Sequence, residues 1–158
     1  IYYHTPNQAF FDADRDRIVV GLHIEDAIYG PHYFGYGGPG EGGDRGVISR
    51  HIEVRFAQFA PETVLVHVKA SPGTIRKRMR DNPHPNGVLQ VGDVEIILKR
   101  FEDEVKMSAI RRKIAVDTSD ASVDESVAEF GRLMEPLFTD NDRTRILRYA
   151  ASDSEKLL

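Results

Sequence analysis

The chain has 158 residues, 41% hydrophobic and 29% charged, with a formal net charge of −4 and no cysteine. That length suits one globular domain, the apolar fraction excludes a disordered chain, and the missing cysteine excludes disulfides, thiolate catalysis and Cys-ligated zinc. No apolar run approaches the roughly 20 residues of a membrane helix, and the acidic balance gives no overall field for nucleic acid.

The chain opens on Ile1 and has no apolar leader segment in its first residues. A short interrupted run, Tyr2–Phe11, could form a strand, but Pro6 and Asn7 break it. Ile18–Leu22 reads as the first buried strand. Between Gly35 and Gly46 lie 7 of the 13 glycines. Asp44 is the expected N-cap of a helix carrying Ile48, Ile52, Phe56 and Phe59. A β-branched strand follows at Thr63–Val68. Ser71 and Pro72 form an N-cap and first-turn pair, opening a helix with Ile75 and Met79 four apart. Asp81–Gly87, rich in Pro and Asn, ends it. Val94, Ile97, Leu98, Phe101 and Val105 recur at helical spacing. Lys113–Val116 is the third strand. Ser122 and Glu125 form a capping box before a stripe of Val123, Val127, Phe130, Met134 and Leu137. A last helix begins near Thr139 and gives way to a polar tail.

Strands alternating with helices predict an α/β domain with a parallel sheet, whose ligands bind at the carboxyl ends of the strands. Residues 1–150 are expected to form this domain, and 151–158 the tail. Three strands are few for such a sheet, which suggests that sequence is missing upstream.

Gly35-Tyr36-Gly37-Gly38-Pro39-Gly40 spells G-x-G-x-x-G, yet about a dozen residues separate it from the preceding strand. A dinucleotide loop must sit directly between strand and helix, and the Asp44 carboxylate would compete with a phosphate for the N–H groups. The segment reads as a surface loop over a substrate, flanked by the stacking surfaces Tyr29, Tyr33, Phe34 and Tyr36. No Gly-Lys pair occurs, so no Gly-Lys-Ser/Thr phosphate loop is present in the 158 residues.

Arginine outnumbers lysine 15 to 6, which favours bidentate anion recognition. Arg76, Lys77, Arg78 and Arg80 cluster on one helix, where they serve either as a lid over phosphates or as a solvated face complementing the helix dipole. Glu25 and Asp26 follow the first strand, where a carboxylate can orient a hydroxyl. The six histidines have no metal-ligand spacing, and His67 reads as a core histidine.

Three of these segments together resemble P-loop nucleoside and nucleotide kinases of the thymidylate- and adenylate-kinase kind. Val68-Lys-Ala-Ser-Pro72 followed by Arg78 is similar to the fourth strand and next helix of that family. Asp93-x6-Arg100-Phe101 looks like the helix after the lid. Lys113–Ser119 with Ser122–Glu125 resembles the last strand, whose following loop, here Asp117–Asp120, contacts adenine. Gly73, Leu89, Gln90 and His23-Ile24-Glu25 depart from the family pattern, leaving the acceptor open.

The resemblance implies a three-layer parallel-sheet P-loop fold, N-terminally incomplete here, in a cytoplasmic phosphotransferase. Such an enzyme moves the ATP γ-phosphate, with Mg, to a nucleoside, nucleotide or other small metabolite. It implies that Arg76, Arg78 and Arg80 close over phosphates, that Glu25 orients the acceptor hydroxyl, that Tyr33, Tyr36 and Arg100 hold the acceptor, and that Asp117 and Thr118 lie near adenine. The partner is then a small molecule, with no nucleic acid or membrane. Without the phosphate loop the chain itself is expected to bind ATP weakly and to turn nothing over. If a central strand is missing, its neighbours have unpaired edges, and a homodimer is expected. Two alternatives stay open: a non-catalytic binding relative of the fold, and another P-loop transferase such as a sulfotransferase.

Overall fold

The computed structural model describes residues 17–83 and 87–155, the last four by backbone only. The interrupted run Tyr2–Phe11 and part of the Asp81–Gly87 loop lie outside the described residues.

The described residues form six α-helices and two parallel strands. In chain order they are α1 (His23–Tyr29), continued by a π-helical turn (Gly30–Phe34), α2 (Arg45–Phe59), β1 (Val64–Lys69), α3 (Pro72–Asp81), α4 (Val94–Met107), β2 (Arg112–Asp117), α5 (Val123–Met134) and α6 (Asp140–Glu155). Strands β1 and β2 pair in parallel, Val64 opposite Arg112 through Lys69 opposite Asp117. The α/β class and the parallel pairing therefore agree with the sequence reading.

Local chemistry sets most element starts. The Asp44 side chain accepts N–H bonds from Gly46 and Val47 at the head of α2. The Ser71 side chain accepts from Thr74 N–H, with proline in the first turn of α3. Ser122 and Glu125 cap α5 reciprocally. Each device satisfies donors that a helix start leaves orphaned.

The core has two lobes. Ile24 and Ile28 of α1 pack with Ile97 of α4, supported by Tyr29, Phe101 and Leu89. Ile52 and Phe56 of α2 pack with Ile110, supported by Leu22 and Ile48. Leu65 of β1 touches both lobes and so joins the sheet to them.

One expectation is corrected. Ile18–Leu22 is not a strand: Ile18 and Val20 are 92% and 86% exposed, and the run ends in a turn with Gly21 at φ 78° and Leu22 at φ 60°. An apolar run becomes a strand only beside a ladder partner, and among the described residues none lies there. The residues after it, left unassigned in the sequence reading, form α1, because Ile24 and Ile28 find Ile97. Helix α6 runs on into the polar segment, as far as Glu155.

Candidate functional site at the carboxyl ends of the strands

Chain reversal after β1 and after β2 leaves two loops side by side. Thr118 N–H donates to the Lys69 carbonyl (2.8 Å), and Thr118 Oγ1 donates to the same oxygen (3.1 Å). Ser71 N–H donates to Ser119 Oγ (2.8 Å), and Thr74 Oγ1 donates to the Ser119 carbonyl (3.0 Å). Arg78 closes the junction: Nη1 donates to Thr118 Oγ1 (3.0 Å) and Nη2 to the Thr118 carbonyl (2.6 Å). The planar guanidinium thus ties α3 to the loop after β2 by a paired contact to Thr118 that lysine could not reproduce.

Beside this junction a crevice of about 330 Å³ lies between the strand ends and α4. His67, Lys69, Ser71, Glu95, Leu98 and Asp117 are among its walls. A wider and more open groove of about 690 Å³ shares Lys69 and Asp117 and continues along α5 past Glu125 and Glu129. We take the narrower crevice as the candidate site, because it is walled by strand ends, α3 and α4 together, whereas the wider groove opens largely to solvent. Its volume lies at the small end of the range for small-molecule sites.

Asp117, Lys69 and Glu95 in the crevice lining each have a charged or hydrogen-bonding partner. Asp117 Oδ1 accepts from Ser119 N–H (2.9 Å) and Ser119 Oγ–H (2.6 Å), while Lys69 Nζ lies 3.6 Å from Oδ2. The Ser119 bonds, with Lys69 adding to them, hold the Asp117 carboxyl below its ordinary range. Arg76 pairs with Glu95, lowering the pKa of Glu95 and raising that of Arg76. Burial, with Lys69 nearby, pushes His67 below the usual imidazole value. His67 is half-buried in the crevice wall, not in the core.

Of the residues singled out in the sequence, only some meet. Arg78, Thr118 and Asp117 share the loop junction. Arg76 turns to Glu95 at the start of α4 and Arg80 to its neighbour Asp81, so the three arginines do not converge. Arg100 is exposed on α4, outside the crevice lining. Glu25 is exposed on α1, over Gly21.

The aromatic residues form a second grouping. Tyr36 donates to Asp26 Oδ1 (2.8 Å), and the Arg45 guanidinium lies over the Tyr36 ring, 4.9 Å from its centroid. Arg45 Nε and Asp26 Oδ2 are 3.3 Å apart as an ion pair without a directed hydrogen bond. The hydrogen bond to Asp26, aided by burial, raises the Tyr36 hydroxyl pKa. Tyr33 donates to Asp93 Oδ2 (3.1 Å) and accepts from Gln90 N–H (3.2 Å), and His32 Nε2 lies 3.4 Å from the same carboxylate. Tyr33 and Tyr36 thus tie the π-helical turn and the glycine segment to α1 and α4.

The glycine segment is closed on itself. Gly38 N–H donates to Glu41 (3.0 Å), and Asp44 takes N–H bonds from Gly40 (2.9 Å), Gly46 (2.9 Å) and Val47 (3.2 Å). Those backbone bonds, Gly40's first, hold Asp44 below the usual carboxylate range. The donors that would have cradled a phosphate are occupied by the chain's own carboxylates.

Sequence reasoning missed Glu53. It lies on the inward stripe of Ser49, Ile52 and Phe56, and it is fully buried. Its carboxylate accepts from His23 Nε2 (3.1 Å) and from Ala109 N–H (2.6 Å). An acid at an i, i+3, i+4 apolar position was the available signal.

Among the described residues no group of three or more His, Asp or Glu side chains gathers to hold a metal, and no helix is long and apolar enough to cross a membrane. No protein-family model matches this chain, and neither a curated protein nor a solved structure matches it.

Proposed function

We propose that the crevice binds the base and ribose side of a nucleotide, and that the chain is part of a phosphotransferase of the P-loop nucleoside and nucleotide kinase kind, built on a three-layer parallel sheet. The acceptor is a nucleoside, nucleotide or other small metabolite. The supporting observation is the Arg78–Thr118 junction at the carboxyl ends of two parallel strands, where open α/β sheets bind ligands. Arg78 lies outside the crevice lining and braces its rim through Thr118, while Pro72 and Leu98 of the lining offer apolar surface for a nucleobase. Asp117 and Glu95 offer acceptors for sugar hydroxyls.

The phosphate end is held less well. Lys69 and Arg76 are matched by Asp117 and Glu95, and Lys99 by Asp103 (2.6 Å). The crevice therefore has little free positive charge for a triphosphate. Asp117 and Glu95 are engaged by Ser119 and Arg76, and among the described residues no three acidic or histidine side chains gather to hold a metal ion. On this reading the chain binds nucleosides and ATP weakly and similarly, and it transfers no phosphoryl group.

Titration with adenosine and with ATP, followed by backbone amide NMR, tests the reading. Shifts confined to Lys69–Ser71 and Asp117–Asp120, lost in Arg78→Ala, support it. Shifts elsewhere, or tight ATP binding with turnover, contradict it. A stronger thermal shift with a sulfonucleotide than with ATP would favour a sulfotransferase.

One observation favours a second reading, a non-catalytic binding relative: Arg76, Arg78 and Arg80 each have a different partner. The assay that separates the two is phosphoryl transfer by a longer form of the protein carrying a phosphate loop.

A further inference from the structure

Most polar side chains in the crevice wall are engaged. Asp117 accepts from Ser119 and lies beside Lys69, and Ser71 donates to Thr74. Glu95 pairs with Arg76, and Lys99 with Asp103. Two are left over. His67 of β1 and Glu102 of α4 both line the crevice, and among the described residues neither side chain makes a hydrogen bond or an ion pair. They are close enough for the Glu102 charge to act on the His67 ring. Neither nitrogen of that half-buried ring is shut off from solvent, so its polar atoms stay open to a ligand in the crevice.

The chemistry of the two narrows what can satisfy them. Burial, and after it Lys69, holds the imidazole below its usual value, with Glu102 acting the other way. The ring is therefore neutral at neutral pH. A neutral imidazole has one N–H and one acceptor nitrogen in either tautomer, and a carboxylate has acceptors only. A single ligand hydroxyl has one hydrogen and can donate to only one of them. Two hydroxyls on adjacent carbons can donate to both. A phosphate would bring its own negative charge against Glu102. An ammonium would gain from Glu102 but meet Lys69 and Lys99, whose charges act on this same pair.

We propose that His67 and Glu102 hold a vicinal diol, and that they make the crevice selective for the ribose of a ribonucleoside over deoxyribose. The inference deepens the nucleotide reading and rests on it for the base. The diol site itself follows from the two unengaged side chains, which belong to different elements and meet only in this crevice. Asp117 and Glu95 keep spare acceptor positions, but Ser119 and Arg76 fix them. His67 and Glu102 are free to turn toward the sugar.

The test is titration of the full chain at neutral pH with adenosine, 2′-deoxyadenosine and methyl β-ribofuranoside. Backbone amides and the His67 imidazole signal, assigned by its loss in His67→Gln, are followed by NMR. Adenosine is expected to move the His67 signal and the crevice amides, and 2′-deoxyadenosine to bind about tenfold more weakly for the lost hydrogen bond to a charged or buried group. Glu102→Gln, at an exposed helix position, should weaken adenosine more than 2′-deoxyadenosine and so narrow the preference. His67→Gln, checked by circular dichroism, should do the same. If it fails to fold, Glu102→Gln alone decides. Equal binding of the two nucleosides while the crevice amides move overturns the diol site and leaves the nucleotide reading standing. A preference that survives intact in the folded variants also overturns the diol site. Adenosine shifts outside the crevice, or none, overturn both. The ribofuranoside moving the His67 signal at the same concentrations as adenosine supports the diol site and overturns the nucleotide reading, since the base would then add nothing.

Discussion

His23 Nε2 and Glu53 Oε1 lie 3.1 Å apart with both side chains closed off from solvent, and the other Glu53 oxygen takes the Ala109 N–H. One carboxylate thus ties α1 and α2 to the segment that leads into β2. Arg50 reinforces it, reaching Glu104 on α4 (2.5 Å) and lying 3.5 Å from Glu53.

Removal of this carboxylate should be among the most destabilising single changes. Glu53→Ala leaves the buried His23 ring nitrogen and the part-buried Ala109 N–H without their acceptor. Breaking a buried pair in this way costs roughly 3–5 kcal/mol. Glu53→Gln keeps an oxygen acceptor and should cost about 1–3 kcal/mol. Urea denaturation of the three chains checks the order wild type, Glu53→Gln, Glu53→Ala.

Acid should erase part of that difference. Burial pushes the Glu53 carboxyl up, but the His23, Ala109 and Ser108 bonds, with Arg50 nearby, outweigh it and hold the pKa below its ordinary value. A depressed acid contributes stability that is fully present above its unfolded pKa and is lost as pH falls through its folded pKa. The stability gap between wild type and Glu53→Gln should be constant near neutral pH. It should shrink only below the usual glutamate range of about pH 4. Urea midpoints measured from about pH 7 down to about pH 3 read this directly. A gap that closes already near pH 6 would show that another group titrates instead.

Asp44 serves both the α2 cap and the glycine segment. Asp44→Ala should lower the melting temperature as a lost helix cap. It should also speed amide exchange at Gly40, Gly46 and Val47, which donate to that carboxylate. Asp44→Asn keeps an acceptor and should restore most of the stability. Equal loss in both variants would count against the capping role.

Two glycines separate backbone freedom from close packing. Gly37 has φ +69°, and a Cβ there would run into the Arg45 side chain and approach the Gly43 carbonyl. Gly40 has φ +78° with open space around it. An L-residue in this left-handed region costs about 1–2 kcal/mol. Gly40→Ala should lose only that amount. Gly37→Ala should lose more and displace Arg45 from Asp26 and Tyr36. Thermal melts rank the two, and Tyr36 fluorescence reports the displacement.

Features decided by local chemistry were legible in the sequence. Asp44, Ser71-Pro72 and Ser122/Glu125 start helices where the spelling indicates, because a cap needs only the next few residues. Thr63–Val68 and Lys113–Val116 are strands because β-branched runs suit a pleated surface. Ile18–Leu22 has the same composition, but a ladder needs a neighbour, which the run itself does not specify. The stripe on α5 makes a similar point: Val123 and Val127 recur at helical spacing but are 78% and 62% exposed. Periodicity marks a face as apolar without saying what covers it. At the strand ends, the sequence reading set Arg78 by phosphates and Thr118 by adenine, and the structure bonds the two to each other. The separation of Arg76 and Arg80 was not, since it depends on Glu95 and Asp81 rather than on helical spacing.

The parallel ladder has a kinetic consequence. Paired residues in β1 and β2 are 48 positions apart in the chain, the same separation as the Ser71–Ser119 bond beside them. Closing so long a loop costs entropy before any ladder bond repays it. Helices α3 and α4 lie within that loop, and Ile97 of α4 packs in the lobe that Leu65 joins. The α1–α4 contact closes a longer loop still, since Ile28 and Ile97 are 69 positions apart. The sheet is therefore expected to form before α4 docks against α1, so variants at Val116 should slow refolding, whereas variants at Ile97 should mainly speed unfolding.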